Sequence, residues 1–391
     1  MKLVRRALLA SALALIPFFA SAQEPVKIGF ISTFSGPNAA IGQDMRDAAE
    51  LALDHVGRRF GDRPAAITYE DDEQRPEAAR QKVDRLLRSD RVDFIAGVIW
   101  SNVLLAISRP VFEAQRFLVV TNAGASPFAG AQCSPWLFST SWNNDQTPMA
   151  MGEVLNRRNV QRLYMMTPNY AAGRDMAAGL KRTYKGSIAG EEFTRWPDQM
   201  DFAAEIARIR SVAPDAVWMF YPGAHGAQFL AQFAQAGLLG KIPVYNSFTV
   251  DAINLPLQKE LALGVLGTQQ WVWDLPNEAN RKFVADFRQR HGRYPSYYAA
   301  QTYDGIRLID SAVRKVGGDL NDRDRVRAAL RAADFASVRG PFRFNRNHMP
   351  VQDFYLQETV RDADGAFTLR TLEKVFTAHQ DPHVTDCPMT W

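Results

Sequence analysis

Two spacings of apolar residues alternate along the chain from residue 26 onward. Short apolar runs, typical of buried strands, are separated by stretches in which apolar residues recur with the period of a helix. The run VKIGFIST (26–33) is followed by the turn FSGPN and by a stretch at 42–56 with an apolar stripe. The stripe consists of Met45, Ala48, Ala49, Leu51, Ala52 and Val56. This pattern predicts a βαβ unit.

The same alternation continues through the first half of the chain and is repeated in the second. The first half adds the predicted strands AAITYEDD (65–72), VDFIAGVI (92–99) and RFLVVTNA (116–123). The second half contains the predicted strands VQRLYMMT (160–167), SIAGEEFTRW (187–196), DAVWMFYP (215–222) and KIPVYNSF (241–248). Helices are predicted near 171–185, 201–211, 224–236, 277–291 and 296–316. This order predicts an α/β protein with parallel sheets, whose ligand groups gather at the carboxyl ends of the strands.

Two segments suit connections between the halves. Ser, Asn, Asp and Pro cluster near 139–146, as is typical of a joint. The segment GPFRFNRNHMPVQDFYLQETV (340–360) follows the late helices and has the pattern of an extended chain that crosses between lobes. We detect no short-period repeat, so the two halves share an architecture rather than a sequence repeat.

The first 22 residues have the composition of an export signal. The basic start MKLVRR precedes the apolar stretch ALLASALALIPFFA, which is too short to span a bilayer, and Ala20-Ser21-Ala22 forms a small-x-small cleavage site. We therefore predict cleavage after Ala22 and a periplasmic protein without membrane insertion; a membrane anchor is the alternative. The remaining 369 residues exceed one hydrophobic core and suggest two domains.

Charge excludes one class of partner. Removing Lys2, Arg5 and Arg6 with the leader leaves 43 basic against 42 acidic residues, so the mature chain is nearly neutral. No basic run interleaved with aromatic residues is present, and phosphate neutralisation needs a positive face. We therefore expect no nucleic-acid partner.

Motifs for catalysis and cofactors are missing. Ser101 lacks the Gly-x-Ser-x-Gly elbow of hydrolases, and no strand-to-helix junction carries a phosphate-binding glycine loop. EDDE (70–73) is predicted to be a solvated turn. His379 and His383 are spaced like metal ligands, but Pro382 breaks the helix that would align them. We predict neither a cofactor nor a metal site.

The chain contains two cysteines, Cys133 and Cys387. An even count in an oxidising compartment favours one disulfide, which would tie down the C-terminal tail. The alternative is a buried thiol at Cys133 and a frayed tail.

Ser101 follows an apolar run, GVIW, and opens a predicted helix. A Ser-Asn pair at such a position commonly caps the helix. The same position suits an anion, because first-turn N–H groups and the helix dipole attract a carboxylate and the hydroxyl adds a donor. The segment TNAGAS (121–126), at the end of the next strand, brings small residues that allow a ligand to approach the backbone.

Aromatic residues concentrate at the predicted strand ends and joints. They are Phe34, Trp100, Trp142, Tyr170, Phe220, Tyr221, Phe248, Trp271 and Trp273. A cleft lined in this way favours flat apolar ligands, since ring contacts add about 0.5–1.5 kcal/mol each beyond burial. We expect about half of these rings to be purely structural.

Three motifs in the same order resemble the extracytoplasmic solute-binding proteins of the branched-chain amino acid type, the receptor components of ABC importers. They are VKIGFISTFSGPNAAIGQDMRDAAELALD (26–54), ITYEDDEQRPEAARQKVDRLL (67–87) and YPSYYAAQTYDGIRLIDSAVRKVGG (294–318). The resemblance covers nearly the whole mature chain. It implies two Rossmann-like lobes joined by three crossings, which close on a ligand by hinge motion.

The resemblance also implies lobe boundaries and ligand residues. The N-terminal lobe would comprise 23–142 and 274–345, the C-terminal lobe 143–273 and 346–380, and the tail 381–391. In the family, the serine that falls on Ser101 holds the ligand carboxylate, helped by backbone of the loop matching Ala123, Gly124 and Ala125. The remaining ligand positions fall on Tyr170, Phe220 and Tyr221, and the partner would be the membrane permease of an importer, with the receptor acting as a monomer.

Two departures from the family concern the ligand. Ala125 stands where amino acid binders place a hydroxyl residue, and Asn246-Ser247-Phe248 stands where they place an acidic partner for the ligand ammonium. Because an unpaired buried ammonium is costly, the site is predicted to favour a carboxylate without an amino group, and the aromatic residues favour an aromatic acid such as a benzoate or phenylpropanoid. The disulfide predicted here does not match the short one of amino acid binders.

Three alternatives remain open. The protein is an amino acid binder of the same family, a sensory module that delivers its ligand to a membrane receptor, or an exported α/β hydrolase with Ser101 as nucleophile.

Overall fold

The computed structural model describes residues 24–390, so the predicted export signal lies outside the described residues. Strands and helices alternate along most of the chain, which confirms the predicted α/β class. The strands are β1 (Val26–Ser32), β2 (Arg59–Phe60), β3 (Arg63–Asp71), β4 (Phe94–Gly97), β5 (Phe117–Val120), β6 (Leu137–Ser139), β7 (Arg162–Pro168), β8 (Ser187–Thr194), β9 (Ala216–Met219), β10 (Val244–Ser247), β11 (Leu266–Gln269), β12 (Arg343–Phe344), β13 (Pro350–Arg361) and β14 (Phe367–His379). The helices are α1 (Ala39–His55), α2 (Pro76–Arg88), α3 (Ser101–Glu113), α4 (Ser126–Ala129), α5 (Gln146–Arg157), α6 (Ala171–Thr183), α7 (Ala203–Val212), α8 (Ala224–Gln235), α9 (Leu255–Gln258), α10 (Glu278–His291), α11 (Tyr297–Lys315) and α12 (Arg323–Ala332).

The first sheet has the strand order β2-β3-β1-β4-β5-β6 and is parallel except for β2. Its central strands are short and fully buried, as in β5 (FLVV), because helices cover both faces. Register pairs Ile28 with Phe94 and Phe94 with Phe117, so β1, β4 and β5 end at one edge. The loops that follow β4 and β5 lead to Ser101 and to residues 121–125.

The second sheet has the order β12-β13-β11-β10-β9-β7-β8, with β14 paired to β13. Strands β7 to β11 are parallel, whereas β12, β13 and β14 run antiparallel to their neighbours. The segment 340–360, predicted as an extended crossing, contributes β12 and the long strand β13 to this sheet. β12 lies inside the range that the sequence assigns to the N-terminal lobe, yet it pairs with β13.

Three chain segments connect the sheets: 140–145, the residues after β11, and the residues between α12 and β13. A buried arginine, Arg339, which lies between α12 and β13, binds two of these segments to α11. Its guanidinium donates to the carboxylate of Asp304 on α11 at 3.1 Å, to the carbonyl oxygen of Thr140 at 2.7 Å and to Oε1 of Gln352 at 2.8 Å. The first and third connecting segments are thus held by one polar network.

The predicted disulfide between Cys133 and Cys387 is present. Cys133 lies in the loop before β6 of the first sheet, and Cys387 follows β14 of the second sheet. The tail is also held by hydrogen bonds, from Asn347 Nδ2 to Asp381 and from the Arg346 guanidinium to the carbonyl oxygen of Val384. Within residues 24–390, no helix combines the length and apolarity needed to cross a membrane.

Candidate functional site

A narrow cavity lies where the carboxyl ends of the two sheets face each other. The space left between the lining side chains is small, about 20 Å³. The lining residues come from the first sheet, the connecting segment and the second sheet. They are Ile99, Trp100, Ser101, Asn122, Ala123, Gly124, Trp142, Asn144, Tyr170, Ala172, Met176, Phe220, Pro222, Phe248, Tyr297 and Tyr298.

Ser101 is the first residue of α3, and its side chain makes no capping hydrogen bond. Instead, Nδ2 of Asn144 donates to Ser101 Oγ at 3.1 Å. Because the oxygen is used as an acceptor there, the hydroxyl hydrogen remains available for a ligand. The Ser101 amide is a first-turn N–H without an intrahelical acceptor. Ser101 therefore presents two donors beside the cavity.

Gly124, in the loop after β5, allows the connecting segment at 142–144 to pack closely against the backbone. A Cβ at this position would lie 2.6 Å from the carbonyl oxygen of Trp142 and 2.8 Å from Oδ1 of Asn144, so a larger residue would displace the connecting segment. The neighbouring Ala123 N–H is occupied, since it donates to Val98 O at 2.9 Å. The small residues of this loop thus let the connecting segment pack next to Ser101.

The cavity is surrounded by a series of ring contacts, here called the aromatic belt (Trp100, Tyr170, Phe220, Phe248, Tyr297 and Trp142). Successive ring centroids lie 6.3 Å apart for Trp100 and Tyr170, 6.4 Å for Tyr170 and Phe220, and 6.5 Å for Phe220 and Phe248. The contacts continue from Phe248 to Tyr297 at 4.7 Å and from Tyr297 to Trp142 at 5.7 Å. Trp142 Nε1 donates to Asn144, which brings the belt back to Ser101.

Trp100 is fixed by a buried polar chain. Its Nε1 donates to Thr33 Oγ1 at 2.7 Å, and Thr33 Oγ1 donates to Asp72 at 2.5 Å. Burial raises the pKa of Asp72 to about 6. The prediction that EDDE (70–73) is a solvated turn is therefore wrong for Asp72, which is fully buried because it supports the wall of the cavity.

Two residues near the cavity adopt left-handed backbone conformations that side chains other than glycine disfavour. Val98, in the turn between β4 and Ser101, has φ 69°, and Phe248 has φ 62°. Such strain is tolerated only where the surrounding structure enforces it, and it is concentrated at functional sites. Val98 is held in this conformation three residues before Ser101, and Phe248 lines the cavity.

The structure brings most of the predicted ligand residues together and leaves three outside the lining. Trp100, Ser101, Ala123, Gly124, Tyr170, Phe220 and Phe248 all line the cavity. Phe34 packs against Tyr69, with ring centroids 6.0 Å apart. Ala125 is buried behind the loop, and Tyr221 belongs to the core of the second lobe, where it stacks on Phe229 and its hydroxyl bonds Thr194.

Sequence reasoning missed several lining residues. Asn144 lies in the polar joint at 139–146, but nothing local indicates that it reaches Ser101, 43 positions earlier. Tyr297 and Tyr298 lie in the motif YPSYYAAQTYDG, which supported the resemblance without receiving a role. Their pairing with the cavity depends on where α11 begins, and that start is set by Ser296, which accepts from the Tyr298 amide at 3.1 Å.

Charged side chains are kept out of the lining, within the residues that the structure describes. Asp175 lies one step behind it, where its Oδ2 accepts from Asn144 Nδ2 at 3.0 Å and from the Ser126 amide at 3.1 Å; burial raises its pKa. Asp251 is also buried, and its carboxylate accepts from the amides of Ile253 and Asn254. Neither acid reaches the cavity surface.

His379, at the end of β14, and His383, in the tail, contact side chains of the protein rather than forming a metal site. His379 Nδ1 contacts Gln146 Nε2 at 3.1 Å, and His383 Nε2 lies 2.6 Å from Asp145. Across residues 24–390, no group of three or more histidine, cysteine or acidic side chains is arranged to hold a metal ion.

The two lobes touch across the mouth of the cavity. Asp175 on α6 accepts from the Ser126 amide of the opposite lobe, and the ring of Trp100 lies 5.4 Å from that of Trp196. Asn38 Oδ1 accepts from the amide of Ala224 at 3.3 Å. The two lobes are therefore in direct contact around the cavity.

Comparison with known proteins identifies the family. The model of the periplasmic binding protein family matches residues 25–366, and the chain belongs to this family. A similar structure is an ABC transporter solute-binding protein from R. palustris in complex with benzoate, with 31% identity, a TM-score of 0.87, and coverage of 93% of this chain and 100% of that chain. The predictions of the family and of a two-lobed solute-binding protein are confirmed.

Two further relatives are named for different ligand classes, an aromatic acid and the branched-chain amino acids. A solute-binding protein from Rhodopseudomonas palustris BisB5 in complex with 3,4-dihydroxybenzoic acid has 27% identity and a TM-score of 0.84, with coverage of 92% of this chain and 99% of that chain. The Leu/Ile/Val-binding protein homolog 6 of Brucella melitensis biotype 1 is 27% identical over 380 residues, which cover 93% of this chain and 96% of the relative.

Proposed function

We propose that the protein is the extracytoplasmic receptor of an ABC importer and that it captures a small aromatic carboxylate by closure of its two lobes. The observation that carries the proposal is the cavity itself. The Ser101 hydroxyl and first-turn amide offer donors to an anion, and the aromatic belt offers flat apolar walls. The benzoate and dihydroxybenzoic acid complexes of similar proteins support this ligand class.

An amino acid ligand is the second candidate, because the Brucella relative is named as a Leu/Ile/Val-binding homolog. An amino acid needs a partner for its ammonium group, and an unpaired buried ammonium is costly. Among the described residues, the cavity lining contains no acidic side chain, and the carboxylate of Asp251 is occupied by backbone amides. The site therefore favours an acid without an amino group.

We further propose that the ligand is bound without being chemically changed. A serine nucleophile needs a base within hydrogen-bond reach. Within residues 24–390, the partner of Ser101 Oγ is the amide of Asn144, and no histidine lines the cavity. We also propose that the export signal is cleaved after Ala22 and that the protein acts as a monomer. It would deliver its ligand to a membrane permease, and its lobes would have the boundaries predicted from the sequence.

A thermal-shift screen tests the proposal. A ligand at 100 times its Kd adds about 2.7 kcal/mol to the free energy of unfolding. We expect benzoate and ring-substituted benzoates to raise the Tm, and leucine, isoleucine, valine and aliphatic acids to leave it unchanged. Stabilisation by the amino acids alone would replace the proposed ligand class, and turnover of a model ester that disappears in Ser101→Ala would replace binding by catalysis.

A further inference from the structure

A second, larger cavity lies beside the connecting segment that follows β11. Its volume is about 360 Å³. Its walls are mainly apolar and are formed by both lobes, with contributions from Leu255, Trp273, Tyr294, Phe367 and Leu369. We call this space the hinge cavity. It could hold an apolar group larger than the binding cavity does.

Tyr297 lines both cavities. It is the one residue that their linings share among the described residues. Its side chain is 1% exposed. The ring of Tyr297 therefore forms the partition between the narrow binding cavity and the hinge cavity.

The partition is held in place from several sides. The ring centroid of Tyr297 lies 4.7 Å from that of Phe248 and 4.1 Å from that of Tyr298. Its backbone begins α11 directly after Ser296, whose amide and hydroxyl both donate to the buried carboxylate of Asp44 on α1. A ligand cannot displace the ring without disturbing these contacts, so the partition behaves as a rigid wall.

We infer that Tyr297 is a specificity-determining residue that limits the ligand to a single-ring acid of about benzoate length. This inference rests on the proposed function, because it assumes a carboxylate anchored at Ser101. The narrow binding cavity reaches Tyr297, and a larger, mainly apolar space lies on the other side of this residue. Removing the ring would join the two spaces and admit longer aryl acids.

Calorimetric titration of the purified protein with benzoate and with 4-phenylbutanoate tests the inference. We expect the wild type to bind benzoate at least about tenfold more tightly than 4-phenylbutanoate, because the longer acid meets the wall. In Tyr297→Ala, benzoate loses a ring contact while 4-phenylbutanoate gains the hinge cavity. The ratio of the two affinities should therefore fall by about tenfold or more.

Tyr294→Ala serves as the control. It enlarges the hinge cavity but does not touch the binding cavity, so its ratio should stay as in the wild type. Circular dichroism and the unfolding midpoint establish that each variant is folded.

Two kinds of result would contradict these expectations. A wild type that binds both acids equally, or a folded Tyr297→Ala variant with the wild-type ratio, overturns the inference while leaving the proposed ligand class intact. Binding of leucine and of neither acid by the wild type overturns the proposed function, and the inference about Tyr297 falls with it.

Discussion

At the scale of single residues, the chemistry of the site depends on how one hydroxyl is oriented. Ser101 Oγ accepts from Asn144, which itself is held by Asp175 and by Trp142. This arrangement leaves the Ser101 hydrogen as a donor for a carboxylate. A hydrogen bond to a charged acceptor is worth more than one between neutral groups.

Ser101→Ala should weaken binding of benzoate by about 1–3 kcal/mol, because the carboxylate loses a donor in a site that excludes water. Isothermal titration calorimetry measures the loss. Ser108→Ala is the matched control, since Ser108 lies on the same helix and its hydroxyl donates to Leu105 O, away from the cavity. Equal affinities of wild type and Ser101→Ala would show that Ser101 does not hold the ligand.

His348 provides a pH-dependent contribution to stability. Its ring is fully buried and stacks on Phe138 with centroids 3.8 Å apart, and burial lowers its pKa to about 3. Between pH 6.5 and about 3 the unfolded chain binds a proton that the folded protein excludes, so stability falls as pH falls, by about 1.4 kcal/mol per pH unit from this group. His348→Phe should show a shallower loss in urea unfolding between pH 6.5 and 4.

His383 is the control for this experiment. The hydrogen bond to Asp145 raises its pKa, so its stabilising charge is fully present below pH 6.5 and is lost only as pH rises. His383→Gln should therefore keep the wild-type slope between pH 6.5 and 4. An unchanged slope in His348→Phe would contradict the prediction.

At the scale of elements, the local pattern predicted the βαβ units but not every element. The strands β4 and β5 are continuous apolar runs because helices bury both of their faces. Helix α5 was not predicted, since it buries Gln146, Thr147 and Pro148 alongside its apolar residues and so lacks a clean apolar stripe. Strand β14 was not predicted either, because most of its side chains are exposed or half-buried and form no apolar run.

One buried ion pair links two of the three connecting segments to α11. Arg339 and Asp304 have side chains that are 4% and 0% exposed, and the arginine also donates to the connecting segment at Thr140. Arg339→Met should lower the free energy of unfolding by about 3–5 kcal/mol, because Asp304 would be left buried without its counter-charge. Urea unfolding measures the loss.

Arg109→Met is the matched control for Arg339. Arg109 pairs with Glu113 on the surface of α3, where both side chains are exposed. Surface ion pairs of this kind contribute little, so its unfolding curve should match that of the wild type. Equal stability of Arg339→Met and wild type would contradict a stabilising role for the Arg339–Asp304 ion pair.

At the scale of the whole molecule, the disulfide adds a covalent link between the lobes. It joins the loop before β6 of the first sheet to the tail that follows β14 of the second, across 254 positions. The link therefore acts beside the three connecting segments. Because it closes so long a loop, it restricts the unfolded chain strongly.

The double variant Cys133→Ser/Cys387→Ser should lose up to about 5 kcal/mol of unfolding free energy by the chain-entropy argument. Its tail should also be cut more readily by a protease, since only hydrogen bonds and the His383–Asp145 pair would then hold it. Thermal unfolding and limited proteolysis measure both effects. Reduction of the wild type should reproduce the result, whereas unchanged stability and cleavage in both would contradict it.

The sequence alone determined the fold class, the family and the disulfide, because each depends on information that is local or carried by residue type. Strand and helix periods appear within a few positions of each other, and two cysteines in an oxidising compartment have one way to pair. The same local reasoning placed Trp100, Ser101, Gly124 and Tyr170 at the strand ends where parallel sheets bind ligands.

The tertiary structure decided which of these residues share a cavity and what closes it. Phe220 and Tyr221 are adjacent in sequence and follow β9. Phe220 lines the cavity, whereas Tyr221 packs in the core of the second lobe. Asn144 and Tyr297 meet the site only through packing between distant elements, and the Tyr297 ring separates two spaces that no sequence pattern describes. Side-chain direction and contact over long separations are products of packing, so they emerge only once both lobes and their connections are in place.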